Sequence, residues 1–366
     1  MSDHNIDPID YESDIIQFIN EKEPEETSIV PVISNAFRLE QIFRDDSELL
    51  DLMLKHKIEF YDEAYTIDEQ LTKAWAASKD YPMSDDHNLA RVAQYREVVL
   101  EEAELAKKEY LTFLSQRLLK NNQNRQGYED VVARYQQKGA QRATFSTMAT
   151  ELGVPVMFPE GREDPLRLLA RLPLPVYITT SYFSFLEVAL EKEGKVPSTQ
   201  VWSWGTAKAN IKEEHLPKRE NKPDLIKPVV YHLFGLENYA KSLVLSEDDY
   251  MDFLMKSASA ISSFEVIPEP LRNALSQSRL LMFGYHLRGW DFRALFRFIL
   301  EFRNAQDSPK SIALQFKPTL ENKDFEKKSL IYLEQYFGEH KFKVKWIDAE
   351  RFIYELSDTW QNRGQS

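Results

Sequence analysis

Residues 172–190, LPLPVYITTSYFSFLEVAL, decide how the rest of the chain is read. Val176-Tyr177-Ile178 is a short β-favouring run that stops at Thr179-Thr180-Ser181, and an apolar helical spacing through Tyr182, Phe185, Leu186, Ala189 and Leu190 starts at once. Pro173 and Pro175 fix where the strand begins, because proline cannot serve a central ladder. The hydroxyls of Thr179, Thr180 and Ser181 therefore fall where strand turns into helix. In an open α/β sheet that junction presents ligand-facing groups and an unsatisfied helix N-terminus.

The same alternation recurs on both sides of this stretch. Ser28–Ile33 (SIVPVI) reads as a first strand, followed by Ser34-Asn35-Ala36 and a helix beginning FRLEQIF. A small polar turn of this kind can receive a ligand, although the glycine-rich dinucleotide fingerprint is absent and SNAF stands in its place. Further strands are expected over Val201–Trp204, over Pro228–Phe234 ending at Gly235, over Arg279–Phe283 ending at Gly284, and over Ser311–Phe316 and Lys341–Trp346. Helices are expected from Ser246, which can cap SEDDYMDFL, and over Pro270–Ser276, 289–300, Phe325–Phe337 and Ala349–Trp360. This is an α/β pattern: a Rossmann-like, mostly parallel sheet covered by helices. Residues 46–150 repeat apolar residues at three and four instead, and read as a helical insertion after the first βα unit. Within it EEAELAKKEY reads as the solvated part of one long helix, and Tyr128–Ala133 as another. Tyr11–Phe18 and Pro165–Ala170, the latter capped by Asp164, are short helices. The organisation is thus 1–45 for the N-terminal segment and first βα unit, 46–170 for the helical insertion, and 171–366 for the remainder.

Bulk properties narrow the function. At 366 residues, 43% apolar and 29% charged, the composition is that of an ordinary globular chain. A net charge of −13 argues against general binding to a nucleic-acid backbone. No apolar run is long enough to span a bilayer and the N-terminus is acidic, so a cytoplasmic protein is expected. The absence of cysteine removes disulfides, zinc–thiolate sites and thiol nucleophiles together.

The segments YPMSDDHNLARVAQY, LPLPVYITTSYFSFLEVAL, KPVVYHLFG, SLVLSEDDYMDFL and LLMFGYHLRGWDFRALFR, in this order and spacing, resemble the SIR2-like domains of bacterial anti-phage defence proteins. The resemblance implies a Rossmann-like sheet binding NAD or an ADP-ribose-type nucleotide, with a helical insertion. In many members it also implies hydrolysis of NAD to nicotinamide and ADP-ribose. Three departures fall at ligand-facing ends. Ser34-Asn35-Ala36 replaces a Gly-Ala-Gly type loop, Ser181 and Phe183 stand where the family has Asn and Asp, and Phe234-Gly235 replaces a His-Gly pair.

The candidate catalytic residues are Ser181, His232 and Asn35. His232 lies two positions before Phe234, so on a regular strand both point to one side and it reaches the same pocket; otherwise it is a core histidine bonded to a carbonyl. Ser181 lacks a nucleophile-elbow context, and capping the following helix is its plainer role. Candidate nucleotide-binding residues are Ser34, Asn35, Thr180, Ser181, Gly235, Gly284, Tyr285, His286 and Asp291, with Tyr285, Asp291 and Arg293 equally readable as a structural cluster. Arg91, Gln94 and Tyr95 share a helix face that either closes the pocket or packs. Asp85, Asp86 and His87 read as a helix cap rather than a metal site. Two functional readings stay open: an NAD hydrolase with a non-standard site, and a catalytically degenerate subunit that senses a nucleotide or protein signal or scaffolds a partner effector. A deacetylase is disfavoured by the missing cysteine module. The expected partners are further copies of the chain or another defence protein.

Overall fold

The computed structural model describes residues 29–46, 66–137, 143–155, 158, 161–202, 211–218, 222–263, 267–287, 289–303, 308–315, 323–346 and 348–363. The expected helix over Tyr11–Phe18, the DDSELLDLML helix beyond Asp46, and Arg288 lie outside these residues.

The chain runs β1 (Ile29–Ile33), α1 (Asn35–Phe43), α2 (Ile67–Ala77), α3 (Leu89–Leu100), α4 (Ala103–Asn121), α5 (Tyr128–Tyr135), α6 (Phe145–Glu151) and α7 (Pro165–Arg171). It continues through β2 (Val176–Thr179), α8 (Phe185–Lys192), β3 (Ser198–Val201), β4 (Val229–His232), α9 (Glu247–Ser263), α10 (Glu269–Gln277) and β5 (Arg279–Phe283). The last elements are α11 (Trp290–Leu300), β6 (Ser311–Gln315), α12 (Lys323–Glu339), β7 (Phe342–Trp346) and α13 (Ala349–Arg363).

Seven strands form one sheet in the order β3-β4-β2-β1-β5-β6-β7, and every pairing is parallel. This is the Rossmann-like α/β fold expected from the alternation. Covered on both faces, the inner strands are near-continuous apolar runs: β2 and β5 are buried throughout. The chain leaves β1 toward β2, β4 and β3 on one side, then returns through β5 to β6 and β7 on the other. The topological switch point therefore lies between β1 and β5. Register places Ile33 level with Thr179 and with Phe283, so three strand ends open on the same crevice.

Several boundaries differ from expectation for local reasons. The helix after β2 begins at Phe185 rather than Tyr182, because side chains have taken the backbone of the turn: Tyr182 N donates to Asn35 Oδ1 at 3.3 Å and Phe183 N to Ser181 Oγ at 3.2 Å. Ser181 consequently is not the helix cap; Ser184 occupies that place. β3 starts earlier than Val201, at Ser198, since a parallel edge strand tolerates the polar Ser198-Thr199-Gln200. β4 stops at His232, two residues short of Phe234. The charged stretch after Val98 is not one long helix. Glu101 adopts φ 54° and turns the chain into a hairpin of α3 and α4, fastened by a bidentate Arg96–Glu109 pair at 2.9 and 3.0 Å. Asn88, not the Asp85-Asp86-His87 triplet, caps α3. Where the expected caps were Asp164 and Ser246, they are found. Asp164 accepts from Leu166 N at 2.9 Å, and Ser246 exchanges bonds with Asp249.

The helical block is pinned across the strand ends. Arg91 meets Glu247 at 3.2 Å, Gln94 exchanges two bonds with Asp248, and the buried Lys107 meets Asp249 at 2.6 Å, all at the start of α9. Arg117 and Asn121 of α4 hold Asp46 after α1, at 2.6–2.9 Å. No helix among the described residues is long and apolar enough to cross a membrane.

Candidate functional site

A cavity of ≈ 200 Å³ lies over the switch point, between the sheet's carboxyl edge and the helical block. Its floor is the first turn of α1 (Asn35, Ala36) and Thr180 after β2; the block contributes Asp68 and Glu69 at the start of α2 and residues 87–90 at the start of α3. His286, Gly289, Trp290 and Asp291 enter from the loop after β5, and Tyr182, Phe234 and Tyr250 complete an aromatic wall. Tyr250 and Trp290 are stacked, with centroids 6.1 Å apart and planes at 21°.

The loops below the cavity are locked together. Ser34 N donates to Phe283 O at 3.1 Å, its hydroxyl donates to Gly284 O, and it accepts from Phe37 N at 3.2 Å as the cap of α1. Gly284 has φ 78°, and a Cβ there would lie 2.7 Å from Phe37 Cβ and closer still to Ser34 Oγ. Thr179 Oγ1 donates to Ile33 O at 2.9 Å, and Thr180 Oγ1 bonds Tyr285 OH at 3.1 Å. Ser34, Asn35, Thr180, Ser181, Gly284, Tyr285, His286 and Asp291 therefore gather around the switch point, and four of them, Asn35, Thr180, His286 and Asp291, line the cavity itself. Gly235 lies apart: its φ of 85° lets the chain turn against Ser242.

Of the three residues expected to be catalytic, Asn35 lines the cavity, while Ser181 and His232 do not. Ser181 Oγ reaches Asn35 Oδ1 at 3.4 Å while accepting from Phe183 N, so each side chain holds the other's loop. His232 is fully buried and does not line the cavity. Its Nδ1 donates to Ser181 O at 2.9 Å and its Nε2 lies 2.7 Å from Glu187 Oε1, which also accepts from Thr199 Oγ1. Burial disfavours a charged ring, yet the adjoining Glu187 carboxylate raises the His232 pKa, and His232 in turn holds Glu187 low against its own burial. This is an internal ion pair. The expected shared orientation with Phe234 fails because the ladder ends at His232. Phe234, past the end, turns into the cavity wall.

Titratable groups at the cavity come from other positions. Burial raises Asp68, reinforced by the nearby Asp291 charge and opposed by His286; Asp68 Oδ1 is buried with no hydrogen-bond partner. Burial also raises Asp291. His286 lies 3.1 Å from Glu40, whose carboxylate outweighs the burial of the ring and raises its pKa. Sequence reasoning missed Asp68, Glu69 and Trp290. A signal existed for the first two: Thr66-Ile67-Asp68-Glu69 is a capping box, with Thr66 N donating to Glu69 Oε2 at 3.0 Å, which fixes Asp68 in the opening turn of a helix.

The residues fit one end of a dinucleotide better than the whole. An aromatic shelf and hydroxyl and amide groups suit a flat ring joined to ribose, and the orphaned Asp68 oxygen calls for a hydroxyl or a cation. A cavity of ≈ 200 Å³ is small beside the ~300–1,000 Å³ usual for ligand pockets. Its three carboxyls and missing glycine loop do not suit a buried pyrophosphate.

A comparison with curated proteins returns no match. SIR2-like domains in general bind NAD, which supports an NAD-related function at that level. Residues 175–339, from the start of β2 to the end of α12, match the family model of the SIR2-like domain, and the chain carries a domain of that family.

Proposed function

We propose that the protein is an NAD-binding subunit of an anti-phage defence system, with the ribosyl–nicotinamide end of NAD in the switch-point cavity. The observation that carries this reading is the position of that cavity. It lies at the β1/β5 switch point of a SIR2-like sheet, with the stacked Tyr250 and Trp290 above the first turn of α1. Asn35 and Thr180 would hold ribose hydroxyls, and Tyr250 and Trp290 the flat ring. NAD itself supplies a labile bond between ribose and a positively charged ring. Carboxylates beside that bond stabilise the positive charge that develops on the sugar as it breaks, and this needs placement more than a strong nucleophile. Asp68 and Asp291 are the groups for that work, in place of the expected Ser181, Asn35 and His232.

One observation favours a second reading. Phe234 fills the cavity wall at the place where the resemblance implies a histidine, and this supports a degenerate subunit that retains NAD, or an ADP-ribose-type nucleotide, without cleaving it and passes the signal to a partner effector or to further copies of the chain. The test is calorimetric titration of the purified chain with NAD, alongside chromatography of nicotinamide released on incubation. Binding with release supports a hydrolase, binding without release supports the degenerate subunit, and no binding at millimolar NAD refutes both.

A further inference from the structure

Helix α12 carries apolar residues on two sides, and the fold uses one of them. Leu330, Leu333 and Phe337 recur at three and four and turn to the core, where Phe337 meets Phe292 and Phe296 of α11 and Phe342 of β7. On the far side the same spacing lines up Lys328, Tyr332, Gln335 and Glu339, with Ile331 and Tyr336 on the flanks of that line. All six are exposed, Tyr332 to 63% and Ile331 to 43%. Tyr332 and Tyr336 are already stacked, with centroids 6.2 Å apart and planes at 19°, so they have little side-chain freedom left to lose on binding. Tyrosine in such a setting is the residue type enriched where two proteins meet. The helix contributes nothing to the cavity, and it leads into β7, the last strand on its side of the sheet.

The charges say what covers this face. Lys328 lies four residues before Tyr332 and Glu339 three residues after Tyr336, so the tyrosine pair has a positive and a negative end. A second copy of the helix laid parallel and in register would set like charges level with each other. Laid antiparallel, about a two-fold axis beside Glu334, it sets each Tyr332 level with the other copy's Tyr336. It also brings each Lys328 within one residue, about 1.5 Å, of the level of the other copy's Glu339. The same patch then serves on both sides, which is the condition for a closed dimer.

We propose that the outer face of α12 is a self-association surface, on which a second copy of the chain packs antiparallel through Tyr332 and Tyr336 between two Lys328–Glu339 pairs. The contact extends over about 17 Å of helix, and an interface of that size exchanges rather than locks. It is independent of what the cavity binds.

Sedimentation velocity of the full chain from about 1 to 200 μM measures the association directly. The expected result is a shift from monomer to dimer within that range. Tyr332→Ser, at an exposed position, should weaken the dimer about tenfold or more. Lys328→Glu and Glu339→Lys each exchange two attractions for two repulsions, and each should weaken it about tenfold. Combined in one chain they restore opposite charges across the contact, and the dimer should return to within about threefold of the wild type. Circular dichroism melting establishes that each variant is folded, and recovery in the doubly exchanged chain sets the contact apart from a loss of helix stability. A chain that stays monomeric at the highest concentration, a dimer that withstands Tyr332→Ser, or charge reversals that fail to weaken it singly or to recover together would each overturn the proposal.

Discussion

Gly284→Ala tests whether the crevice between β1 and β5 is held by a close approach of two loops. Gly284 has φ 78°, a region in which an L-residue is strained by ~1–2 kcal/mol. The added Cβ would also lie 2.7 Å from Phe37 Cβ and 3.2 Å from Phe37 Cα, and nearer still to the Ser34 hydroxyl that caps α1. Neither neighbour is the loose end of a flexible chain: Phe37 is packed edge-on against Phe283 at 5.0 Å, and Ser34 is tied to the Gly284 carbonyl. Overpacking at such a point costs a further ~1–3 kcal/mol, for a total of about 2–5 kcal/mol. Gly194→Ala supplies the control. Gly194 has nearly the same φ, 76°, and nothing within 4 Å of its added Cβ, so it loses only the conformational share. Urea unfolding of both variants, read as a shift in midpoint at constant slope, should place Gly284→Ala about 1–3 kcal/mol below Gly194→Ala. It should also weaken any ligand seated on the first turn of α1, which Gly194→Ala should spare. Equal losses in the two variants would show that the loops part without cost and that the crevice is not fixed by this contact.

Two further outcomes follow from the buried ion pairs. His232 gains its partner on folding, so its contribution is present below the ring's ordinary value near 6.5 and is lost as pH rises through the raised folded value; Glu187, held low, loses its share only as pH falls through its lowered folded value. Glu187→Gln should therefore cost roughly 1–3 kcal/mol at neutral pH and return the His232 titration, followed by NMR of the ring protons, toward its ordinary range. An unchanged titration would disprove the pair. Asp46, buried and bonded by both Arg117 and Asn121, joins the end of α1 to the helical block. Asp46→Ala removes the bonds that Asp46 accepts from Arg117 and Asn121 and should lower stability by about 3–5 kcal/mol in the same urea assay; a loss under 1 kcal/mol would mean that these contacts do not hold the block to α1.

These positions also show why the fold was legible and the site was not. A parallel strand covered on both faces reads as a near-continuous apolar run, so RLLMF and VYIT stand out without knowledge of the rest. β3 was displaced because an edge strand escapes that demand, and STQV carries no such mark. The site obeys a different logic. It is made where the helical block closes over the strand ends, so Asp68 and Trp290 become neighbours only through tertiary packing, and no spacing in the chain records it. The period of two points His232 to the pocket, but it holds only while the ladder lasts; the ladder stops at that residue and the next turn exchanges it for Phe234.

The missing glycine fingerprint has its explanation in the same geometry. A glycine is needed where two backbones or a backbone and a ligand come too close for a Cβ. At this switch point the close approach is between the loops themselves, and the glycine stands on the facing side, at Gly284, with Ser34 as the group it admits. The first loop offers a pyrophosphate little, because its cap hydroxyl is already bonded to Gly284 O and Phe37 N, and Asn35 Oδ1 to Ser181 and Tyr182. On the proposed reading, a ligand that enters here meets the aromatic and carboxylate side of the cavity with its ring and its sugar.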